Sequence, residues 1–430
     1  MRSLPQQTGV QITPWLLCVF LVTTSRGLCA SGSEYVVSDL GTLGGAASAA
    51  GAINNRGDIV GEADVDTNVP PTRHPFLWRQ GLMTDLGTLG GPLGAATALN
   101  EQGQVVGWAM TRIELGGQQH AFLYIEGVMT DLGTLGGMSS KAYAINNQGQ
   151  VVGTANNAGE VPRAFLHSAG TMADIGTPGG TPSGAESIND SGQIAGYFVT
   201  NLCVCNNNTT AFLSSGGTIT DLGALGTLGS LRPAVATAIN QWGQAVGWAN
   251  NNSVTLAHGY LYSGGVFTDL GTLSGALTNS QASALNHQGE VVGRAGGVTG
   301  SYHAFLYRSG TMHDLNILVG PYSGWTLQAA TGLNDNGQIV GYGLNPVGQR
   351  RAFLLTPRPR LQNIQLAAGA IQFELVGVTG LTYRVEYAPS LSPGPWFALT
   401  NFVLSASPRR ITDSGASPAA QRFYRAVQTP

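Results

Sequence analysis

The sequence predicts an all-β chain: a seven-bladed β-propeller built from repeats of about 46 residues, followed by a small fibronectin type III-like β-sandwich. A DLG-type aspartate recurs seven times at intervals of 43–48 residues, and a fixed period of this size is typical of repeat architectures. Only 10% of the residues are charged and 62 of 430 are glycine, against about 25% and about 7% in ordinary globular proteins. This composition favours short strands and tight turns. The aspartates are Asp39, Asp85, Asp131, Asp174, Asp221, Asp269 and Asp314.

Four short segments of the third repeat have the pattern of β-strands. Residues 128–133 (VMTDLG) alternate like a half-buried strand, and residues 141–146 (KAYAIN) form a second. The turn at residues 146–149 (NNQG) leads into a third strand from Gln150, so strands two and three are expected to form a hairpin, with the glycine at positive φ. Residues 163–168 (RAFLHS) are the fourth strand.

Four strands per repeat are typical of a propeller blade. A single sheet of this kind cannot bury both faces, so neighbouring blades stack on it and a ring closes the last edges. We expect the large aromatic residue of strand four to lie between blades, and the Ala and Gly residues of strand two to lie nearer the axis. An open β-solenoid is the alternative architecture. The aromatic residues are Phe76, Phe122, Phe165, Phe212, Tyr260, Phe305 and Phe353.

Residues 1–30 have the layout of a secretory signal peptide. Arg2 precedes an apolar stretch at residues 15–22, and small residues follow near Ala30, after which we expect cleavage. The apolar stretch is short for a permanent anchor, although a retained anchor helix is the alternative. Removing Arg2 and Arg26 changes the formal net charge from −3 to −5. The mature chain has no basic patch and no predicted transmembrane span, so we expect a secreted or cell-envelope protein that does not bind nucleic acid.

Cys203 and Cys205 are the cysteines left after cleavage. With one residue between them they are too close for an unstrained disulfide, and two ligands without a second pair make a poor zinc site. A strained local disulfide and two free thiols both remain open. The fold therefore depends on burial between repeats and not on disulfides.

The repeat pattern stops after Pro357, and residues 358–430 form a separate region. Residues 356–360 (TPRPR) are a short proline-stiffened linker. Alternating runs such as AIQFELVG and TYRVEYA then predict five or six strands in about 70 residues, which indicates the β-sandwich module. The predicted organisation is a signal peptide at 1–30, a propeller at 31–357 and this module.

The recurring DLGTLGG, AxAIN, GQVVG and HAFL motifs resemble the HAF repeat, a bacterial extracellular repeat named for its His-Ala-Phe triplet. The resemblance covers roughly residues 35–356. It implies export and a repeat fold, and it implies no catalysis. The histidine is kept in four copies and replaced by Arg163, Thr210 or Arg351 in the others; the four are His74, His120, His258 and His303.

Most candidate site residues recur with the fold itself. The seven aspartates could hold a cation by hard oxygen ligands, but their recurrence favours a turn or strand-end hydrogen bond in each blade. The N-x-x-G asparagines are predicted to form turns, and the histidines to be packed, hydrogen-bonded blade residues. No catalytic, cofactor-binding or metal-binding residue is therefore predicted, and no cofactor. The asparagines are Asn54, Asn100, Asn146, Asn189, Asn240, Asn286 and Asn334.

Other motifs match known functional patterns only in part. Residues 64–68 (DVDTN) alternate oxygen ligands as a calcium loop does, but the expected glycine is Val69 and the expected distal glutamate is Pro75. The DSG triplets at Asp190 and Asp413 echo serine-protease sequence without a matching histidine. No nucleophile elbow, zinc-protease motif or phosphate-binding loop is present in the sequence.

Binding residues concentrate on segments that vary while the scaffold stays fixed. The segments that break the repeat are 63–73, 109–119, 198–210, 225–235, 249–257 and 317–328, the last containing Tyr322 and Trp325. They favour a non-enzymatic binding or interaction protein. Its partner is not identified by the sequence, and a carbohydrate or envelope component is one candidate. The alternative is a secreted glycosidase or polysaccharide lyase at the propeller mouth, and a purely structural role is a third reading. An enzyme needs two converging carboxylates, for which the off-consensus acids are Glu62, Glu114, Glu160 and Glu186.

Overall fold

The computed structural model describes residues 33–67, 72–112, 117–201, 208–223, 233–250, 256–273, 278–296, 301–367, 370–390, 394–416 and 422–429. The predicted signal peptide, Glu114, Cys203 and Cys205 lie outside these ranges. The chain divides into two compact units: one spans Tyr35–Thr356, and the other contains the residues from Pro357 onward together with those before Tyr35.

The first unit consists of short antiparallel sheets whose strands are grouped here by their place in a sheet. The first strands are β2 (Ser48–Ile53), β6 (Gly90–Leu99), β10 (Gly136–Ile145), β14 (Ser183–Ile188), β18 (Ala234–Ile239), β22 (Ser280–Leu285) and β26 (Thr326–Leu333). The second strands are β3 (Ile59–Asp64), β7 (Val105–Thr111), β11 (Val151–Asn157), β15 (Ile194–Asn201), β19 (Ala245–Asn250), β23 (Val291–Gly296) and β27 (Ile339–Leu344).

The third strands are β4 (Arg73–Arg79), β8 (Gln119–Ile125), β12 (Pro162–Ser168), β16 (Asn208–Ser215), β20 (Ala257–Ser263), β24 (Tyr302–Arg308) and β28 (Arg350–Pro357). The outer strands are β5 (Leu82–Asp85), β9 (Val128–Asp131), β13 (Thr171–Asp174), β17 (Thr218–Gly223), β21 (Val266–Asp269), β25 (Thr311–Asp314) and β1 (Tyr35–Asp39). Sheets 1 to 6 start from β2, β6, β10, β14, β18 and β22, and sheet 7 contains β26, β27, β28 and β1. A single parallel pair, Arg73 with Leu93, joins sheets 1 and 2.

The DLG strand lies in a different sheet from the one that the sequence pattern suggested. The predicted first strand of the third repeat is β9, which pairs with β8 as the outer strand of sheet 2. Each DLG strand completes the preceding sheet in the same way, and β1 completes sheet 7, where Leu40 N donates to Ala352 O at 3.0 Å. The predicted grouping was wrong by one strand, because a period is the same wherever the count begins. The hairpin of predicted strands two and three is confirmed as β10 and β11.

Two glycines of each repeat have separate physical roles. Gly149 of the N-x-x-G turn has φ +76°, a conformation that only glycine adopts without cost, and this confirms the predicted turn. Gly153 of the QVVG motif lies opposite a β-bulge in β10, where a Cβ atom would meet Lys141 O at 2.0 Å. The equivalent glycines of the other sheets meet the same carbonyl at 1.9–2.1 Å. The repeat therefore needs glycine at this position to let the bulged first strand approach.

The aromatic residue of each third strand lies between neighbouring sheets, as predicted. Phe76 is fully buried and packs with Ile59 of its own sheet and Val340 of sheet 7. Phe122 likewise packs with Val60 of sheet 1 and Val105 of sheet 2. Burial of one such side chain contributes about 1.5–3 kcal/mol, so the repeated aromatic supplies a substantial part of the adhesion between sheets.

The first strands follow one another in a closed succession, each beside the first strand of the next sheet, and β26 beside β2. Thr97 Oγ1 donates to Ala142 O across sheets 2 and 3 at 2.9 Å, and Thr331 Oγ1 donates to Ala50 O across sheets 7 and 1 at 2.9 Å. A Cβ atom on Gly51 would lie 2.8 Å from Ala96 O. Small residues in the first strand are therefore required by close backbone approach, which confirms the expectation for this strand.

The second unit contains two three-stranded antiparallel sheets with the orders β29-β30-β33 and β32-β31-β34. Phe373 and Leu375 of one sheet share a core with Tyr383 and Val385 of the other, so the two sheets pack face to face. Its strands are β29 (Arg360–Ala367), β30 (Ala370–Val376), β31 (Thr382–Ala388), β32 (Phe397–Val403), β33 (Arg409–Asp413) and β34 (Phe423–Thr429).

A short helix, α1 (Leu315–Val319), follows β25 and is capped by Asp314, whose side chain accepts a bond from Asn316 N. In the part of the chain that the structure describes, no helix has the length and hydropathy that a bilayer crossing needs.

Candidate functional site

The DLG aspartate and the HAF histidine form one structural pair. His120 Nδ1 donates to Asp131 Oδ2 at 2.7 Å, and Gly133 N donates to Asp131 Oδ1 at 2.8 Å. The aspartate thus joins the third strand to the outer strand and caps the turn that follows. This confirms the strand-end bond predicted for the aspartate and the hydrogen-bonded role predicted for the histidine. The same pair recurs as His74 with Asp85, His258 with Asp269 and His303 with Asp314.

One replacement of the histidine keeps this hydrogen bond, and a second keeps only a longer ion pair. Arg163 Nε lies 2.7 Å from Asp174 Oδ2, and Arg351 Nε lies 3.9 Å from Asp39 Oδ2. Imidazole and guanidinium both donate to a carboxylate, which explains why either residue type serves. The hydrogen bond that His120 donates to Asp131 raises the pKa of His120 in spite of its partial burial. These side chains join the third strand of a sheet to its outer strand.

Six of the seven N-x-x-G asparagines donate a hydrogen bond to a backbone oxygen of the next sheet, and we call this succession the asparagine ring. The seventh, Asn286, donates to Glu290 Oε2. Asn146 Nδ2 donates to Asn189 O of the next sheet at 3.1 Å and to Gln150 Oε1 at 2.8 Å. Its Oδ1 accepts from Gln148 N and Gln150 N. The succession closes where Asn334 Nδ2 donates to Asn54 O at 3.0 Å. The sequence predicted the turn but not the bond to the next repeat.

A second ring lies at the residue that follows each asparagine. Glu101 Oε1 accepts from Asn55 N at 2.9 Å, Asp190 Oδ1 from Asn147 N at 2.8 Å, and Asn55 Oδ1 from Asp335 N at 2.8 Å. Several of these side chains line a cavity of about 160 Å³. Sequence reasoning missed this ring because the residue varies; the signal was that every variant can accept a hydrogen bond. The positions are Asn55, Glu101, Asn147, Asp190, Gln241, His287 and Asp335.

Residues of the weaker sequence motifs also make contacts within the fold. Asp64 is buried between Arg73 Nε and Ala47 N, and Asp66 accepts from Thr72 N, so these two residues of the calcium-like pattern already have partners. Asp413 is bonded by Arg422 and Tyr424. Within the described ranges, no group of three or more His, Cys, Asp or Glu side chains is placed to hold a metal ion.

Antiparallel topology divides the connections of the first unit between two faces. The N-x-x-G hairpins and the turns from third to outer strands lie at one end of the strands, which we call the turn face. The loops from second to third strands and the connections to the next sheet lie at the other end, the loop face. All six repeat-breaking segments leave from the loop face. Five of them extend partly outside the described residues, whereas 317–328 is described throughout.

Each second strand carries one variable side chain near its middle. It is the residue directly after the VVG motif, in a stretch that is otherwise nearly uniform. On β3 it is Glu62, two residues after Val60, which packs against sheet 2; residues two apart on a strand share a face, so this position faces the next sheet. Its seven occupants are Glu62, Trp108, Thr154, Tyr197, Trp248, Arg294 and Tyr342, all half-buried.

Charged groups stack on several of these variable side chains. Lys141 Nζ of sheet 3 lies 5.1 Å from the Trp108 ring centroid, which places that ring against the neighbouring sheet. The Arg350 guanidinium lies 4.3 Å from the Tyr342 ring. Cation–π contacts of this kind contribute about 0.5–1 kcal/mol where exposed.

A further Arg–Tyr pair and an ion pair continue this surface in neighbouring sheets. The Arg294 guanidinium lies 4.9 Å from the Tyr302 ring, and Arg73 Nη1 lies 3.2 Å from Glu62 Oε1. Tyr322, on the connection between sheets 6 and 7, is 91% exposed. Sequence reasoning selected the loops and Tyr322 but missed the strand position beside them.

The described off-consensus acids do not form a catalytic pair. Glu62 and Asp64 share Arg73, and a cation between two carboxylates opposes the protonated acid that glycoside hydrolysis requires. Glu160 accepts from Met138 N and Asn156 Nδ2. Burial raises the pKa of Glu186 to about 7. Within the described residues, the ionisable groups whose pKa is shifted by the charge of Glu186 are tyrosines.

No family model matches the chain, and no curated protein is similar to it. Among solved structures, TolB from Acinetobacter baumannii is similar with a TM-score of 0.37 and 12% identity, over 58% of this chain and 63% of that one. The chain therefore spans less than two thirds of that protein. An Aleuria aurantia lectin mutant in complex with Fucalpha1-6GlcNAc has a TM-score of 0.33 and 12% identity, over 75% and 96%. A mutant of AofleA from Arthrobotrys oligospora has 0.33 and 12%, over 91% and 95%. Likenesses this weak carry no argument about function.

Proposed function

We propose that this chain is a secreted, non-enzymatic binding protein of the HAF-repeat type, built as a seven-bladed β-propeller whose loop face contacts carbohydrate at the cell surface or outside the cell. The C-terminal sandwich, of fibronectin type III character, is its accessory module. Two kinds of observation support this, one on the scaffold and one on the face.

The succession of first strands supports the propeller. β26 lies beside β2, and β1 completes sheet 7 although more than 300 residues separate it from β28. An outer strand taken from the start of the chain fastens the last sheet to the first, which removes the exposed edges that an open stack retains. The β-solenoid alternative has no use for such a strand.

The variable position after VVG carries the proposal of binding. Four of its seven occupants are Trp or Tyr and one is Arg, in a chain where only 8% of residues are aromatic. A position that varies between repeats while the residues beside it stay the same is typical of a recognition surface on a rigid scaffold. Ring faces with nearby guanidinium donors suit a sugar, which has apolar C–H faces and hydroxyl acceptors.

The test is retention of the mature chain on a glycan array and on cell-wall polysaccharide. We expect a defined subset of glycans to be retained, and Trp108→Ala or Tyr342→Ala to weaken that retention about tenfold, since aromatic anchors typically cost more than about 1 kcal/mol on truncation. Trp242→Ala is the matched control, because Trp242 is 74% exposed on the turn face and should change nothing. Loss of binding in this control, or no retained glycan, would contradict the proposal.

Export is tested separately by the N-terminus of the purified protein. We expect mass spectrometry to find Ser31 as the first residue of protein recovered outside the cytoplasm. Recovery of the protein with residues 1–30 still attached would contradict the proposed cleavage.

A further inference from the structure

The turn face carries a feature that the carbohydrate proposal does not use. A groove of about 810 Å³ lies between sheets 1 and 2, formed by their N-x-x-G hairpins and by the turns before β5 and β9. Its volume is in the range of small-molecule sites, about 300–1,000 Å³. Arg56, Asp58 and Arg79 line one side of it, and Gly103 and Glu126 line the other; we call it the arginine groove.

Three departures from the repeat pattern coincide in this groove. The position of Asp58 is Gln in five other repeats and Glu in the sixth. The position of Arg56 is Gln, Ser, Trp or Asn in the others, and that of Arg79 is arginine in only one other repeat. Because the scaffold uses the uniform residues successfully elsewhere, folding alone does not require these three charges together.

The two arginines are only partly satisfied by the aspartate. Arg56 Nη2 lies 3.0 Å and Arg79 Nε 3.1 Å from the same oxygen, Asp58 Oδ2. Neither guanidinium therefore makes the two-bond fork that arginine forms with an oxyanion. In the described part of the chain neither has another side-chain acceptor, and their side chains are 50% and 46% exposed.

Both guanidinium groups lie close to the backbone of Gly103 in sheet 2. A Cβ atom on Gly103 would lie 2.3 Å from Arg79 Nη2 and 3.0 Å from Arg56 Nη2, so both groups approach sheet 2 where no side chain obstructs them. Glu126 lines the groove but makes no ion pair with either arginine within the described residues. Two cations thus share one anion, with one positive charge not neutralised by contact.

We propose that the arginine groove is a second binding site, separate from the loop face, that takes an oxyanion group of a small ligand. Carboxylate and sulfate or phosphate have the acceptor geometry that two forked guanidinium groups match. The apolar wall of Leu77, Leu82 and Ile125 would cover the remainder of such a ligand.

The experiment is calorimetric titration of the purified chain with sodium sulfate and with sodium succinate, at constant ionic strength against chloride. We expect saturable binding of at least one probe, and the stronger of the two identifies the class of oxyanion. Arg79→Gln should weaken it about tenfold, as expected for the loss of one charge-assisted contact. Asp58→Gln, which restores the common residue of the other repeats, should strengthen it several-fold because a competing carboxylate is removed.

The control is Arg360→Gln, since Arg360 is an exposed arginine of the second unit and is not among the residues that line the groove, and we expect it to leave the affinity unchanged. The proposal is overturned if neither probe binds more tightly than chloride, if Asp58→Gln weakens binding, or if Arg360→Gln has the same effect as Arg79→Gln. A lower unfolding midpoint of Arg79→Gln without probe binding by the unmodified chain would show that the arginines only stabilise the β2–β3 hairpin against the end of β4 within sheet 1. Because the groove is on the turn face, these results are independent of glycan retention.

Discussion

The asparagine ring gives the most specific prediction about stability. Asn146 is 3% exposed, and its side chain makes four hydrogen bonds, to Asn189 O, Gln150 Oε1, Gln148 N and Gln150 N. Replacing it with alanine leaves Asn189 O without this bond in a buried position and the other three partners without theirs in part-buried ones. Each hydrogen bond contributes about 1 kcal/mol net, and an unsatisfied buried group costs about 1–3 kcal/mol. We therefore expect Asn146→Ala to lower the free energy of unfolding by about 3–5 kcal/mol.

Asn147→Ala is the matched control one residue away. Its side chain makes two hydrogen bonds to neighbouring sheets. Asn147 Oδ1 accepts from Glu101 N, and Asn147 Nδ2 donates to Asp190 Oδ2, but both bonds are only part-buried, so water can replace them. We expect a loss of about 1 kcal/mol or less. Urea unfolding followed by circular dichroism measures both variants. If the two lose the same stability, the asparagine ring does not hold the sheets together and the argument from buried bonds is wrong.

Three further predictions follow from single positions. His120→Arg should keep stability within about 1 kcal/mol, because Arg163 already makes this contact in sheet 3, whereas His120→Ala should lose about 1–2 kcal/mol; thermal unfolding distinguishes them, and an equal loss would contradict the pairing. Gly107→Ala should prevent proper pairing of β6 and β7, since a Cβ atom there would meet Ala95 O at 2.0 Å; a soluble variant of unchanged stability would refute the bulge argument.

The third concerns pH: because burial raises the pKa of Glu186 from 4.5 to about 7, the folded state binds more protons than the unfolded state between these values, and stability should fall as pH rises through that window. Glu186→Gln should thus be neutral at pH 4 and stabilising at pH 8, by at most about 3 kcal/mol at about 1.4 kcal/mol per pH unit and less where the remaining exposure lets water screen the charge. A variant with the same stability difference at both pH values would contradict the assignment.

The architecture could be predicted largely from local chemistry. The period of the DLG motif, the N-x-x-G turn and the alternation of strands such as 128–133 each depend on neighbours in sequence, and they gave an all-β repeat chain with buried aromatics between sheets. The assignment of the DLG strand to its sheet could not be read this way, because β9 and β1 are placed by pairing with strands that precede them or lie hundreds of residues away.

The proposed binding positions were harder to predict for a different reason. Trp108 and Tyr342 lie inside strands that the repeat pattern identifies as scaffold, so the pattern indicates the loops as binding segments. Only the direction of β7 and β27 relative to the next sheet shows that these two residues occupy equivalent positions on their sheets. Arg56 and Arg79 are 23 residues apart in the sequence. They come together because the hairpin that contains Arg56 and the turn that follows Arg79 lie at the same end of the strands.

The closed ring is tested most directly by a cross-link between Asn55 and Asp335. Their side chains touch, with Asn55 Nδ2 2.8 Å from Asp335 Oδ2, although 280 residues separate them. In a background with Cys203 and Cys205 replaced by serine, Asn55→Cys with Asp335→Cys should be joined within one chain by a short bismaleimide, and mass spectrometry should find the two peptides linked. The pair Asn55→Cys with Asp190→Cys, from non-adjacent sheets, should remain unlinked. Efficient linking of the first pair alone is the result that a propeller predicts; no link between positions 55 and 335 would leave an open stack as the better description.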